Sequence, residues 1–555
     1  MEELCGNGLD DDALGGDAVC AGLDGDDDGY TTTDCDDTNR YIYPGVYTTS
    51  GCSGGEYRQC QSGGTYTACT ATTLAEGTRN YYFDFVSGNN ANACSFASPC
   101  KDALKFAYFT DSNDSERPAS PITPTGGDVF YFMDGTYTTI YGDTSFGRQF
   151  LMLRNFNGTS GAKITIKAYP GEAPVFDPNC DSGNPCSSIY ALDSDYWIVD
   201  GIDMTGAYNG EGMCIKLQSD NWQVRNIHCY ENHGSEDDNN AGISVAGNNN
   251  EIHHNRIHDN YETGAASGGQ DLNDVQIVLF GSSGNYIHHN IIYNTASDTD
   301  ANSGAACIKY KHGANTGTFE VAYNVLWNCK HVAIGTGTFA SNIHHNRIWD
   351  SAFAFGVKDW GGPTYHNDEL IEFNTVKNSL LLDYLASSDY VAIGDLTVRK
   401  NIFIDNAVSY GNENAVIVES TYQSDAHYAL VHSPETFVVD QNCYYNSAGG
   451  AIKFCDHCVN NGGSYGNNGS LYTFSGWQTR GFDASSFSEN PSVDSSHRAT
   501  STNCDDWGWS LVAGGGGTTT TTSTTTSTVM ASSDPDRKTL FNDNTLFDDL
   551  YEALF

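Results

Sequence analysis

Glu251-Ile252-His253-His254-Asn255-Arg256-Ile257, Tyr286-Ile287-His288-His289-Asn290-Ile291-Ile292 and Asn342-Ile343-His344-His345-Asn346-Arg347-Ile348 are three copies of one pattern. An apolar residue precedes a polar pair, an Asn and another apolar residue. Looser copies start at Trp222, Phe319, Ile371, Leu396 and Val438. A second Asn or Asp follows each, at Asn232, Asn260, Asn294, Asn328, Asp350, Asn378, Asn406 and Asn446. The marked Asn residues recur roughly every thirty residues, which suits one coil of three short strands with variable loops. A tight bend between strands needs a residue tolerant of left-handed φ, and the Asn is assigned to it. Stacked about 4.8 Å apart, the Asn amides can bond as a ladder while the apolar residues fill the coil. Roughly a dozen coils at that rise give a rod of roughly 55–60 Å. The fold class is all-β, a right-handed parallel β-helix.

The flanks differ from the repeat. Residues 1–75 are rich in Asp, Gly, Thr and Cys and cannot build an apolar core without metal or disulfides. Residues 76–127 read as a cap, with an amphipathic helix near 99–107 presenting Leu104 and Ala107 on one face. The β-helix is assigned to 128–513, a Gly/Thr/Ser linker to 514–530 and an apolar, acidic tail to 531–555. In the tail, Leu546, Phe547, Leu550, Ala553 and Leu554 fall on one helical face, which predicts docking on another copy of the chain.

Lys and Arg total 26 against 70 Asp and Glu, a formal net charge of -44. Such a surface repels nucleic acid and anionic membranes, and no apolar run is long enough for membrane insertion. The 18 cysteines are even in number and often closely paired, as Cys94 with Cys100 and Cys180 with Cys186. Disulfides, and an extracellular or cell-surface location, are the expectation, with connectivity left open. No leader is evident, which is read as a leader removed or lying outside this sequence.

Two sets of residues carry chemistry. Asp24, Asp26 and Asp28 alternate before Gly29. The carbonyl of Tyr30 and a carboxylate from Asp34, Asp36 or Asp37 can complete an oxygen cage for calcium. Asp10 and Asp12 can serve a second ion. The second set is basic. Lys309 and Lys311 alternate in one strand, Lys358 follows on a later one, and Lys216 precedes them. The paired histidines are expected to form a ladder of like residues rather than a metal site.

The repeat resembles the pectate-lyase-like superfamily of right-handed parallel β-helices. Phe474-Ser475-Gly476-Trp477-Gln478 looks like the closing segment of its secreted bacterial members. The Asp-rich stretch, with Cys5-Gly6-Asn7-Gly8 before it and Tyr43-Pro44-Gly45 after, resembles MopE-like and thrombospondin type 3 metal-binding repeats. The first resemblance implies Lys309, Lys311 or Lys358 as a catalytic base for β-elimination on a uronate polymer, with calcium as cofactor. Three functions stand side by side: a secreted calcium-binding structural protein self-associating through residues 531–555, a calcium-dependent polysaccharide lyase, and a non-catalytic carbohydrate-binding adhesin.

Overall fold

The computed structural model describes residues 35–508 apart from connecting stretches, the largest being 264–274, 296–305, 421–436 and 457–469. Ala75–Trp509 is one compact unit, and the described residues before it belong to a second. In that second unit, strands Tyr47–Thr48, Arg58–Gln61 and Thr65–Tyr66 form a small antiparallel sheet. Its core is only Ile42, Tyr43, Val46 and Cys60, and disulfides Cys35–Cys60 and Cys52–Cys69 staple it. So small a core needs such covalent help.

The larger unit is the β-helix. Three long sheets run along it, with 12, 12 and 14 strands, and nearly all pairings are parallel. One coil visits each sheet in turn, as in Glu251–His253, Arg256–His258 and Val275–Phe280. We call these the first, second and third sheets. The first sheet starts at Arg79–Phe83, which pairs with Asp128–Phe132, so the first coil begins inside the stretch read as a cap.

Alternation sets which side chains enter the coil. In the first sheet the inward row includes Val224, Ile252, Ile287, Val321, Ile343 and Ile371, each in register with the next. In the second it includes Ile257, Ile292, Leu326, Ile348 and Val376. In the third it includes Ile189, Ile215, Ile243, Ile277, Ile308 and Ile334. Exposure in these rows does not exceed 1%. β-Branched residues suit the position because their stiff χ1 fits a pleated surface. Burying each contributes about 1.5–3 kcal/mol.

The bend between first and second sheets holds the amide ladder. Asn255, Asn290, Asn324, Asn346, Asn374, Asn401 and Asn442 lie buried one above another. Each Nδ2 donates to the next Oδ1 at 2.9–3.1 Å. The same oxygen accepts the preceding Asn's backbone N–H, and Nδ2 also donates to a carbonyl of the coil before, as Asn324 does to Ile287 at 2.9 Å. The left-handed φ is not on these residues, which corrects the sequence reading. It falls one place earlier, on His254, His289, Tyr323, His345, Phe373, Lys400 and Gln441 at 53–59°. Asn226 has φ 53° itself and stands at the His254 position, outside the ladder. At the next bend Asn232, Asn260 and Asn294 bond side chain to side chain, with Gln276 between the last two. Asn328, Asp350 and Asn378 are left-handed there.

Both ends of the core are plugged. The expected helix near 99–107 is a single 3-10 turn, Ala103–Lys105, capped by Asp102. Leu104 and Ala107 do not share a face: Ala107, with Phe106, closes the main core, whereas Leu104 packs on Met152 and Tyr190 of the third sheet. At the far end, helix Phe474–Thr479 brings Trp477 onto Phe454 and Phe482. Asp483 ends the ladder. Its carboxylate lies 3.4 Å from Asn442 Nδ2 and accepts from Trp477 Nε1, Tyr444 Oη and Ser486 Oγ.

Asn324→Ala removes donors and an acceptor from the middle of the ladder. The carbonyl of Ile287 loses this side-chain donor, and the backbone N–H of Asn290 and one N–H of its side-chain amide lose their acceptor, at about 1–3 kcal/mol each. The variant is expected to lose at least about 3 kcal/mol in urea unfolding; a loss within 0.5 kcal/mol, the range of about that size typical of surface changes, contradicts the ladder's role.

Candidate functional site: the outward face of the third sheet

The residue after each inward isoleucine of the third sheet faces out. In register these are Met152, Tyr190, Lys216, Ser244, Val278, Lys309 and Gly335. Lys216 and Lys309 are three coils apart, about 14 Å. Lys216 Nζ stands 5.2 Å from the Tyr190 ring, and the Tyr190 hydroxyl donates to Gln218 Oε1 at 2.8 Å. Near them Arg154 Cζ lies 5.5 Å from the Tyr108 ring. Two cations and two aromatic rings therefore meet at one end of this face.

Lys309 is 3% exposed although it stands on the outer side, and Ser244 and Val278 beside it are equally buried at 5% and 2%. The face is covered at that level. Gly335 follows Lys309 in the row with an unexceptional φ, and a Cβ there would meet the Lys309 stem at 3.6 Å and the Ile308 carbonyl at 3.7 Å, both ordinary contacts. Lys311 and Lys358 lie in strands Ala306–Lys311 and Phe353–Lys358. Lys311 pairs with Phe280 of the coil before it, and Lys358 with Leu385 of the coil after it. Among the calcium candidates, Asp36 is half-buried. Asp10, Asp12, Asp24, Asp26, Asp28, Tyr30, Asp34 and Asp37 lie outside the described residues, as does the tail 531–555. The sequence reading missed Arg154 with Tyr108 and the pairing of Lys216 with Tyr190. The dipeptides Ile189-Tyr190, Ile215-Lys216 and Ile308-Lys309 carried the signal for the row.

The other two outer faces are built for stability. On the first sheet Arg79–Asp128, Lys167–Glu76, Arg225–Asp200 and Arg399–Glu372 are ion pairs. The left-handed positions stack as His254, His289, Tyr323, His345 and Phe373 with centroids 4.9–5.0 Å apart. His253 stacks on His288 in the neighbouring row. In each His pair the two Nδ1 atoms are 2.7–2.8 Å apart, and His288 Nε2 meets Glu251 while His344 Nε2 meets Glu320. These carboxylates hold the proton on Nε2. Nδ1 of His288 and His344 then accepts from His289 and His345, so the rings of each pair satisfy one another. Burial lowers His253 and His345 to about 3 and His254 and His289 well below their usual value. On the second sheet His258, Tyr293, Trp327 and Trp349 stack face to face at 4.2–5.2 Å. Their faces cover one another, so they offer no platform for a sugar.

Among the described residues, no group of three or more His, Cys, Asp or Glu is arranged to hold a metal. No described helix is long and apolar enough to cross a membrane. Among the described residues seven disulfides, from Cys35–Cys60 to Cys443–Cys504, fit an oxidising, extracellular setting.

No protein-family model matches this chain, and no curated protein does. Solved structures similar to it include the pectate lyase Pel9A, 15% identical, covering 63% of this chain and 79% of that one at a TM-score of 0.43. A rhamnogalacturonan lyase is 13% identical, covering 58% and 87% at 0.42. The PL6 family alginate lyase AlyGC is 12% identical, covering 70% and 56% at 0.36. Similarity this low bears neither on activity nor on the fold, which rests on the sheets described above.

The neutral histidines make stability depend on pH. An unfolded chain protonates them near 6.5, whereas the folded chain protonates His253 and His345 only near 3, and His254 and His289 well below 6.5. Between those values the unfolded state binds more protons, so stability is full above about 7 and falls as pH drops from 6.5 towards 3. Burial also raises three carboxyls, Asp483 to about 6 together with Glu172 and Asp177, which acts in the opposite sense, while buried His233 is lowered and adds to the four. Urea unfolding across pH 3–8 is expected to follow this slope, and His345→Phe, which keeps the stack, to make it shallower; a level profile down to pH 4 contradicts the neutral ladder.

Proposed function

We propose that this is a secreted carbohydrate-engaging protein that lays an anionic polysaccharide along the outer face of the third sheet. The observation that carries the reading is the register of Lys216 and Lys309 in one outward row, with Arg154 at its end. In a chain of net charge -44, Lys216 and Arg154 at one end of this face are where an anionic chain can settle, with Lys309 buried three coils further along the row. The pairing of Lys216 with Tyr190 and of Arg154 with Tyr108 supplies charge for carboxylates and apolar surface for sugar rings. Lys309, whose stem packs beside Gly335, is the proposed base for abstracting the proton next to a uronate carboxylate, with Lys311 and Lys358 as further candidates. Calcium is proposed to fold the Asp-rich segment and to bridge it to anions.

The test is binding and cleavage of uronate polymers, followed by calorimetry and by ultraviolet absorbance of the unsaturated product. Lys216→Ala is expected to weaken binding at least tenfold. Lys309→Ala is expected to abolish cleavage while leaving binding within a few fold. Binding without any cleavage in the unaltered chain selects the adhesin reading, and no binding to any acidic glycan defeats the proposal.

Assembly through residues 531–555 is a second reading. It is favoured by the scarcity of apolar surface elsewhere: Val86, Phe96 and Val438 are the exposed large hydrophobics among the described residues. The solution mass of the full chain and of a form ended at Ala513, each with calcium and with chelator, tests it. Large assemblies from the full chain alone support the tail as the device; monomers throughout reject it.

A further inference from the structure

The plug at the N-terminal end of the β-helix brings a lysine, an asparagine and an aspartate together. Lys105 and Asp102 are 3% and 2% exposed, and Asn90 is half-buried beside them. Lys105 Nζ donates to the main-chain carbonyl of Asn90 at 2.8 Å. Asn90 Oδ1 accepts from the backbone N–H groups of Lys101 and Asp102 at 3.0 and 3.2 Å. Asn90 Nδ2 donates to Asp102 Oδ1 at 2.8 Å. The two segments are held against each other on either side. The Asn89 N–H and Asn92 Nδ2 donate to the Pro99 carbonyl at 3.1 and 2.7 Å, and a disulfide joins Cys94 to Cys100.

Anchoring a loop accounts for the bond from Lys105 to a carbonyl. The remaining contacts are those of an acyl transfer. Burial lowers the Lys105 amine from its usual value, which raises its neutral, nucleophilic share. The two backbone N–H groups on Oδ1 lie where negative charge develops when Cγ becomes tetrahedral. Asp102 holds a hydrogen of the nitrogen that has to leave, and a carboxylate there can carry a proton to it. The amine already rests on Asn90, so reaching Cγ takes only a move from the main-chain carbonyl of that residue to its side-chain carbonyl.

We propose that Lys105 and Asn90 join in an intramolecular isopeptide bond, with Asp102 as the proton carrier. Lys105 first loses its ammonium proton to water. Nζ then attacks Cγ of Asn90, and the carbonyl electron pair moves onto Oδ1 between the two N–H groups. The Asp102 carboxylate takes a proton from Nζ and gives one to Nδ2. The Cγ–Nδ2 bond breaks, the Oδ1 carbonyl re-forms and ammonia leaves. One C–N bond is made and one is broken, nothing is oxidised or reduced, and no further reactant enters. The product ties residue 90 to residue 105 around the Cys94–Cys100 disulfide, so the plug stays fastened when that disulfide is reduced.

The experiment is mass spectrometry of a reduced tryptic digest of the folded full chain. The sequence places tryptic sites after Arg79, Lys101, Lys105 and Arg148. Peptide 80–101 is expected joined to 102–148, uncut after Lys105 and lighter than the sum by one ammonia. Lys105→Arg still offers a donor to the Asn90 carbonyl but is no nucleophile, and is expected to give separate peptides at full mass. Asp102→Asn still caps the turn and is expected to slow bond formation at least about a hundredfold. Separate, full-mass peptides from the unaltered chain overturn the proposal. So does a cross-link that survives Lys105→Arg, and formation at the unaltered rate in Asp102→Asn overturns the part given to Asp102.

Discussion

The buried amide ladder is the constraint on which the rest depends. A β-helix turns its chain through a tight bend in every coil, and each bend would strand backbone groups inside the rod. Unpartnered, each would cost about 1–3 kcal/mol, repeated coil after coil. The Asn side chain removes the problem because it carries both a donor pair and an acceptor. Each one serves the coil before and the coil after, so the bonds form a chain from Ile227, whose N–H meets Asn255, to Asp483. The ladder also fixes register, since a slipped coil would break two sets of bonds at once. The strain is displaced to the preceding residue, where left-handed φ at His254, Tyr323 or Phe373 costs about 1–3 kcal/mol. Stacking of those rings on one another returns part of it.

With the inside fixed by repetition, the outside is free to differ from sheet to sheet. The first sheet is occupied by ion pairs and neutral imidazoles, and the second by aromatic rings stacked on their own kind. Both spend their side chains on neighbours within the rod. The third sheet is different: its outward row changes from coil to coil, from Tyr190 to Lys216, Ser244, Val278, Lys309 and Gly335. A row that does not repeat cannot form one continuous stack, and two cations, Lys216 and Lys309, stand in it. That contrast is the physical ground for siting a ligand there.

Much of the architecture was legible because repetition amplifies a weak signal. One copy of Ile-His-His-Asn says little; copies at Asn255, Asn290 and Asn346 fix sheet, bend and core together. The details that failed were those that repetition does not reach. The Asn was assigned both the bend and the ladder, whereas the chain gives the bend to its predecessor, a residue type with no obvious turn preference. Leu104 and Ala107 looked like one helical face because spacing alone cannot distinguish a helix from a 3-10 turn continued as a plug. In the candidate site, Lys309 and Lys216 were visible as rare cations. The tyrosines beneath Lys216 and Arg154 were not, because they come from other coils and depend on register.

The central claim is that the third sheet's outer face is the working surface. Hydrogen exchange along the chain, with and without a saturating uronate polymer, addresses it most directly. The account predicts slowed exchange in Met213–Gln218, Ala306–Lys311 and Phe353–Lys358, with His258 and Trp327 and their strands unchanged. Protection confined to the second sheet, or spread evenly over all three, would contradict it.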